Sequence, residues 1–108
     1  IANVNFSYVA FDASAGAAFS WSTAEIASKN VTNIRRTANA TYEIFWGSNY
    51  ANGDYSIQAY AADSNDSWNG YALVISRSST SMIINIGGAN GQEDDTCNYI
   101  NVMAMGPS

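Results

Sequence analysis

The chain offers few of the side chains that enzymes use for catalysis. It contains no histidine and a single cysteine, Cys97. Histidine is the commonest general base near neutral pH and the commonest protein ligand for transition metals, so its absence excludes a Cys–His pair and a histidine-dependent serine triad. Nine carboxylates are present, but none lies in a recognisable glycosidase frame. We therefore expect a protein that is not an enzyme and that uses no cofactor.

The densest group of potential ligand-binding side chains is the segment 61–70, AADSNDSWNG. Asp63 and Asn65 fit the first and third positions of an EF-hand calcium loop, but Trp68 occupies the position that requires glycine. We assign no metal site, and three interpretations stay open: a hairpin loop held by Asx turns, a looser oxygen site for calcium, or a loop that contacts a sugar through its indole and amide groups. The ligand-contacting loop would use Asp63, Asn65, Asp66, Trp68 and Asn69.

Two features near the C-terminus have simple structural explanations. The acidic run Glu93-Asp94-Asp95 is typical of a solvated loop, and the alternative is a cation site on the symmetry axis of an oligomer. Cys97 has no partner for an intramolecular disulfide and precedes an apolar strand pattern, so we expect a small buried hydrophobic residue.

Composition limits the classes of partner. The 108 residues suffice for one domain, 1–108, and the chain begins at Ile1 without methionine, which indicates processing or a piece of a longer protein. Only 12% of residues are charged, and the net charge is −5 with four basic residues. We therefore expect neither nucleic acid nor an anionic membrane as a partner. No apolar run is long enough for membrane insertion by a helix.

Alternation with period two dominates the chain and predicts strands at 3–8, 41–46, 54–60, 71–76, 82–87 and 99–105. Turn signals such as Asn52-Gly53 and Asn69-Gly70 separate several of them. We predict an all-β protein, an antiparallel β-sandwich (jelly-roll-like or Greek-key) of about 7–8 strands with at most one short helix. The candidate for that helix is STAEIASKN, 22–30, where Ser22 and Glu25 have the spacing of a capping box. The alternative there is strand, because the segment runs into β-favouring Val31 and Thr32.

The last predicted strand is apolar on both sides. Ile100, Val102 and Ala104 share one face, while Tyr99, Asn101, Met103 and Met105 share the other. A sheet that is apolar on both faces needs partners on both faces. We therefore predict an oligomer interface formed by Tyr99, Met103 and Met105 together with Tyr60.

Six motifs occur in a fixed order along nearly the whole chain: VNF (4–6), NVTNI (30–34), YEIFW (42–46), YSI (55–57), STSMII (79–84) and DTCNYINVMAMG (95–106). In this order they resemble a small β-domain found near the C-termini of tail fibres and other appended virion proteins of bacteriophages, notably cyanophages. Ala40-Thr41 departs from the glycine that usually precedes the first tyrosine motif, and the loop 61–70 has no counterpart. The resemblance implies a virion surface component, often trimeric, and supplies no catalytic residues.

Three functions follow as hypotheses. The first is the distal, receptor-binding part of a tail fibre that contacts a host surface glycan or envelope component. The second is a capsid decoration or fibre-trimerisation domain whose partners are its own copies, most simply as a trimer, and other virion proteins. The third, outside viruses, is a carbohydrate-binding module of a secreted protein. The first two place the protein on the virion surface.

Overall fold

The structure, a computed structural model, describes residues 3–62, 70–87 and 97–108. Within these ranges the chain forms a 3₁₀ turn, Gly16–Ala18, a single helical turn, α1 (Trp21–Ala24), and eight strands. The strands are β1 (Val4–Phe11), β2 (Glu25–Lys29), β3 (Val31–Ala38), β4 (Thr41–Trp46), β5 (Ser56–Ala62), β6 (Tyr71–Arg77), β7 (Ser81–Gly87) and β8 (Tyr99–Pro107).

The strands form two four-stranded sheets packed face to face. Sheet 1 has the order β2-β1-β8-β5, and sheet 2 has the order β3-β4-β7-β6. Every neighbouring pair is antiparallel. The prediction of an all-β antiparallel sandwich is therefore confirmed for the described residues.

The core lies between the sheets and follows the predicted alternation. Tyr42, Ile44 and Trp46 of β4 point inward from sheet 2. Ile100 and Val102 of β8 meet them from sheet 1, and all five side chains are almost fully buried. Cys97, just before β8, is fully buried and belongs to the same core, as predicted.

Of the two interpretations left open for 22–30, strand is confirmed from Glu25 to Lys29, and the helix is limited to the residues up to Ala24. α1 ends at Ala24, and Glu25–Lys29 continues as β2, which pairs with β1 through partners such as Ser28 and Val9. The N-cap is Ser20, not Ser22, and its side chain makes no capping hydrogen bond. A nine-residue helix is only marginally stable by itself, whereas the strand gains a ladder of hydrogen bonds to β1. The strand is therefore the more stable conformation of this segment.

The first strand is oriented against its hydrophobic pattern. Val4, Phe6 and Tyr8 form its apolar side, yet they are exposed on the outer face of sheet 1. Ser7, on the polar side, is fully buried between the sheets. Burying a hydroxyl group costs free energy unless it is hydrogen-bonded. Hydrogen bonds with Asn30 and Tyr50 offset that cost for Ser7 and make this orientation of β1 possible.

Candidate functional site on the outer face of sheet 1

The candidate site is a solvent-facing surface formed by three neighbouring strands of sheet 1. β8 lies between β1 and β5, so the antiparallel register arranges the outward side chains in rows across the sheet. One row contains Phe6, Met105 and Ser56, one from each strand, and the next contains Tyr8, Met103 and Gln58.

One part of this surface, named the apolar region, consists of Val4, Phe6, Tyr8, Met103 and Met105. Val4 is 64% exposed and Met105 is 52% exposed, and the Phe6 and Tyr8 rings lie 6.0 Å apart between centroids. A shallow groove of about 150 Å³ runs beside it, lined by Phe6, Met103 and Met105 and by the β5 residues 56–58. Large apolar side chains gathered on one exposed face are typical of a surface that binds another molecule.

The other part, named the aromatic–amide region, consists of Gln58, Tyr60, Tyr99 and Asn101. The Tyr60 and Tyr99 ring centroids are 5.9 Å apart with the planes tilted by 54°. Asn101 Nδ2 donates a hydrogen bond to the Tyr99 hydroxyl at 3.4 Å. A second groove, of about 330 Å³, is lined by Gln58, Ala59, Tyr60, Asn101 and Met103.

The three strands that form this surface contain no charged residue. The nearest charge in the register is Lys29 of the edge strand β2, the partner of Tyr8. None of the carboxylates responsible for the net charge of −5 lies on β1, β5 or β8. The surface can therefore approach an apolar or neutral partner without desolvating a charge.

The outer face of sheet 2 is different because it contains a cluster of charged and polar contacts. Arg35 Nη2 and Glu43 Oε1 form an ion pair at 2.9 Å, and the other oxygen of Glu43 accepts a hydrogen bond from Ser81 Oγ at 2.8 Å. The Arg35 guanidinium also lies over the Phe45 ring. Leu73 and Ile75 of the edge strand β6 are exposed, but they lie on another strand than this polar cluster.

A series of hydrogen bonds, buried or partly buried, joins β1 to the β2–β3 connection, to Tyr50 and to β8. Asn30, which joins β2 to β3 with a φ of 60°, donates from Nδ2 to Ser7 Oγ at 2.8 Å. Ser7 Oγ lies 2.8 Å from the Tyr50 hydroxyl, which donates to the Ala104 carbonyl at 3.1 Å. Since Tyr50 has one proton, Ser7 must donate to Tyr50 while it accepts from Asn30. These hydrogen bonds link β1 and β8, the two central strands of sheet 1, and so hold in place the two strands that form the apolar region.

Tyr50 also belongs to a buried aromatic cluster with Trp46 and Tyr55. Trp46 Nε1 donates to the Tyr55 hydroxyl at 3.2 Å, and the Tyr50 and Tyr55 rings lie 4.3 Å apart. Burial raises the pKa of both tyrosines above the ordinary value of 10.0. Hydrogen bonds from Ser7 and Trp46 oppose this rise in pKa without cancelling it. Both hydroxyl groups are therefore neutral structural groups at physiological pH.

The structure places the predicted interface residues together on this surface. Met103 and Met105 lie in the apolar region, and Tyr60 and Tyr99 lie in the aromatic–amide region. Sequence reasoning missed Phe6 as a member, although the apolar alternation in 3–8 was the signal, because nothing in the pattern says that this side faces outward.

The predicted ligand-contacting loop, Asp63, Asn65, Asp66, Trp68 and Asn69, lies outside the described residues, as does the acidic run Glu93-Asp94-Asp95. Within the described ranges, no group of three or more cysteine or acidic side chains could hold a metal ion. None of the helices described there is long and apolar enough to cross a membrane.

No protein-family model, curated protein or solved structure gives a significant match to this chain.

Proposed function

We propose that this chain is a non-catalytic virion structural domain that assembles with copies of itself through the apolar region of sheet 1. The observation that supports the proposal is the exposure of Phe6, Met103 and Met105 side by side on strands that contain no charge. Aromatic residues and methionine are enriched at protein interfaces, and charged residues are depleted from interface centres.

Electrostatics favours a second copy of the chain as the partner. Each copy has a net charge of −5, so two copies repel each other over most of their surfaces. A face whose three strands contain no carboxylate is where this repulsion is weakest and where burial of apolar area gains most. Contact of this patch with itself gives a twofold dimer, whereas in a trimer the patch meets a different surface of the neighbouring copy.

The virion setting comes from the resemblance to the small β-domain of phage tail fibres and appended proteins. That resemblance favours a trimer, and a trimerisation or decoration role needs no ligand. Host attachment, the receptor-binding role, depends on residues 63–69, which lie outside the described residues, so it stays a prediction.

The test is the solution mass of the purified chain by light scattering, compared for Met105→Asp and Leu73→Asp. Both residues are exposed apolar side chains, but Leu73 lies on β6 of sheet 2 and is the matched control. We expect an oligomer for the unaltered chain and for Leu73→Asp, and a folded monomer for Met105→Asp, because a carboxylate in the contact must be desolvated. A monomeric unaltered chain, or an oligomer unaffected by Met105→Asp, contradicts the proposal.

The same measurement in the presence of a chelator examines the acidic segments. Loss of the oligomer on chelation, with the apolar region intact, indicates that a cation bound by carboxylates also joins the subunits. An oligomer that is indifferent to the chelator is held by the apolar contact alone.

A further inference from the structure

We propose that the aromatic–amide region of sheet 1 is a binding site for a neutral saccharide, separate from the assembly surface. The site is the groove of about 330 Å³ that Tyr60, Gln58 and Asn101 line. This volume lies at the lower end of the range of about 300–1,000 Å³ found for small-molecule sites. The inference does not depend on the assembly function, because Tyr60, Tyr99 and Asn101 lie outside the apolar region. Gln58 and Met103 line both grooves.

The two tyrosines supply flat apolar surface. Tyr60 is 41% exposed, and Tyr99 is half-buried beside it with ring centroids 5.9 Å apart. One side of a pyranose ring presents mainly C–H groups, which pack on an aromatic face. The tilt of 54° between the rings makes the tyrosine pair a bent platform rather than a flat one.

The two carboxamides supply the polar half of the site. Gln58 on β5 and Asn101 on β8 both line the groove and lie on neighbouring strands. Each carboxamide has two N–H donors and one acceptor oxygen, and one donor of Asn101 is directed to the Tyr99 hydroxyl. Adjacent donors and acceptors of this kind match the hydroxyl groups of a sugar, each of which can donate and accept.

The absence of charge determines which sugars fit. The described residues that line this groove lie on β5 and β8, and these two strands contain no lysine, arginine or carboxylate. An acidic sugar would lose hydration of its carboxylate without gaining an ion pair, and the chain's net charge of −5 would repel it. The groove is therefore matched to uncharged hexose units rather than to sialic or uronic acids.

The saccharide site and the centre of the apolar region are spatially distinct. Met105 and Asn101 are four residues apart on β8, which separates their rows by roughly 14 Å. Phe6 lies on β1 and Tyr60 on β5, with β8 between them, a lateral separation of about 10 Å. A contact centred on Phe6 and Met105 therefore leaves the Tyr60 end of the sheet accessible. Met103 and Gln58 lie at the border, since both line the two grooves.

The test is a titration of the isotope-labelled chain with neutral hexasaccharides of glucose, galactose and mannose, each offered separately, and with oligosaccharides of sialic and galacturonic acid. The side-chain amide signals of Gln58 and Asn101 are the direct readout, since a purely structural role would not move them. We expect at least one neutral hexasaccharide to shift both signals at millimolar concentration and the acidic probes to leave them unchanged. No shift with any neutral probe, or an equal response to acidic ones, overturns the proposal.

Variants separate the saccharide site from the assembly surface. Tyr60→Ala and Asn101→Ala should each weaken saccharide binding about tenfold, a change of 1.4 kcal/mol. Tyr60→Phe should retain most of the affinity because the ring remains. Leu73→Ala removes an exposed side chain from β6 of sheet 2, which lines neither groove, and is the control with unchanged affinity.

The oligomeric state of the same variants distinguishes the two failures. If Tyr60→Ala dissociates the oligomer and no neutral probe binds, this end of the sheet belongs to the assembly contact, and the saccharide proposal fails while the proposed function stands. If Met105→Asp leaves both mass and saccharide binding unchanged, the assembly proposal fails and the saccharide site stands.

Discussion

Asn30 Nδ2 lies 2.8 Å from Ser7 Oγ and joins the β2–β3 connection to the buried side of β1. The same side chain accepts a hydrogen bond from the backbone N–H of Ser48, so one amide connects three segments of the chain. Its φ of 60° lies in the left-handed region, which asparagine tolerates better than most residues. Asn30 therefore serves both the conformation of the crossing between the sheets and the satisfaction of a buried hydroxyl.

Replacing Asn30 tests these two roles separately. We expect Asn30→Ala to lower the free energy of unfolding by about 2–3 kcal/mol, through lost hydrogen bonds and a less tolerated φ. Asn30→Gly keeps the backbone conformation accessible and should lose about 1–2 kcal/mol. Urea denaturation of both variants gives the comparison, and equal losses would show that the positive φ contributes nothing.

Alkaline pH should destabilise the protein through Tyr50 and Tyr55. Burial raises the folded-state pKa of both above 10.0, the value in the unfolded chain. Above that pH the unfolded chain releases protons that the folded chain retains, so the free energy of unfolding falls as pH rises through and beyond 10.0. Denaturation at neutral pH and at about pH 11 measures the fall.

The control for this pH dependence is Tyr50→Phe. It removes one of the two titrations, so its loss of stability between the two pH values should be smaller than that of the unaltered chain. Its stability at neutral pH should be lower, because Ser7 loses the acceptor for its hydroxyl proton and the Ala104 carbonyl loses its donor from Tyr50. An unchanged pH dependence would show that Tyr50 ionises equally in the folded and unfolded chain.

The Arg35–Glu43 ion pair should be worth less than the hydrogen bond beside it. The Arg35 side chain is 63% exposed and that of Glu43 only 17%, so solvent screens the pair, and Arg35→Ala should lower the free energy of unfolding by less than about 1 kcal/mol. Glu43→Ala also removes the acceptor for the buried Ser81 hydroxyl and should lower it by about 1–3 kcal/mol. Glu43→Gln keeps an acceptor oxygen, so its loss of stability, measured by thermal denaturation, should lie between those of Arg35→Ala and Glu43→Ala.

Host attachment makes a separate prediction for Trp68. If the loop 61–70 contacts a host surface glycan, Trp68→Ala should abolish adsorption of the protein to host cells while its circular dichroism spectrum stays that of a β-sandwich. Adsorption equal to that of the unaltered chain excludes Trp68 as a contact residue.

Much of the fold was predictable because alternation directly reports the pleat of a strand. β4 was predicted at its observed bounds, and the two faces of β8 were assigned correctly, with Ile100 and Val102 buried and Met105 exposed. For β2 the sequence left helix and strand open, since a short segment containing Glu25 and alanines has no strong preference until β1 offers it a ladder of hydrogen bonds.

The candidate site was predicted in part. Met103, Met105, Tyr60 and Tyr99 were identified because they lie opposite core residues on their strands. Phe6 was missed for a physical reason: alternation gives two faces but not which one is buried. Hydrogen bonds with Asn30 and Tyr50, 23 and 43 residues away along the chain, turn Ser7 inward and so turn Phe6 outward.

The sequence by itself determined the strand period, the all-β class, the absence of a histidine-based catalytic group and the lack of charge on three of the strands. These properties are local, because each depends on residue type and spacing along a few residues. Tertiary structure alone decided that β8 lies between β1 and β5, which brings Tyr60 and Tyr99 within 5.9 Å and Phe6 opposite Met105. Strand pairing joins segments distant in the chain, and its outcome depends on the packing of the whole sandwich rather than on any one segment.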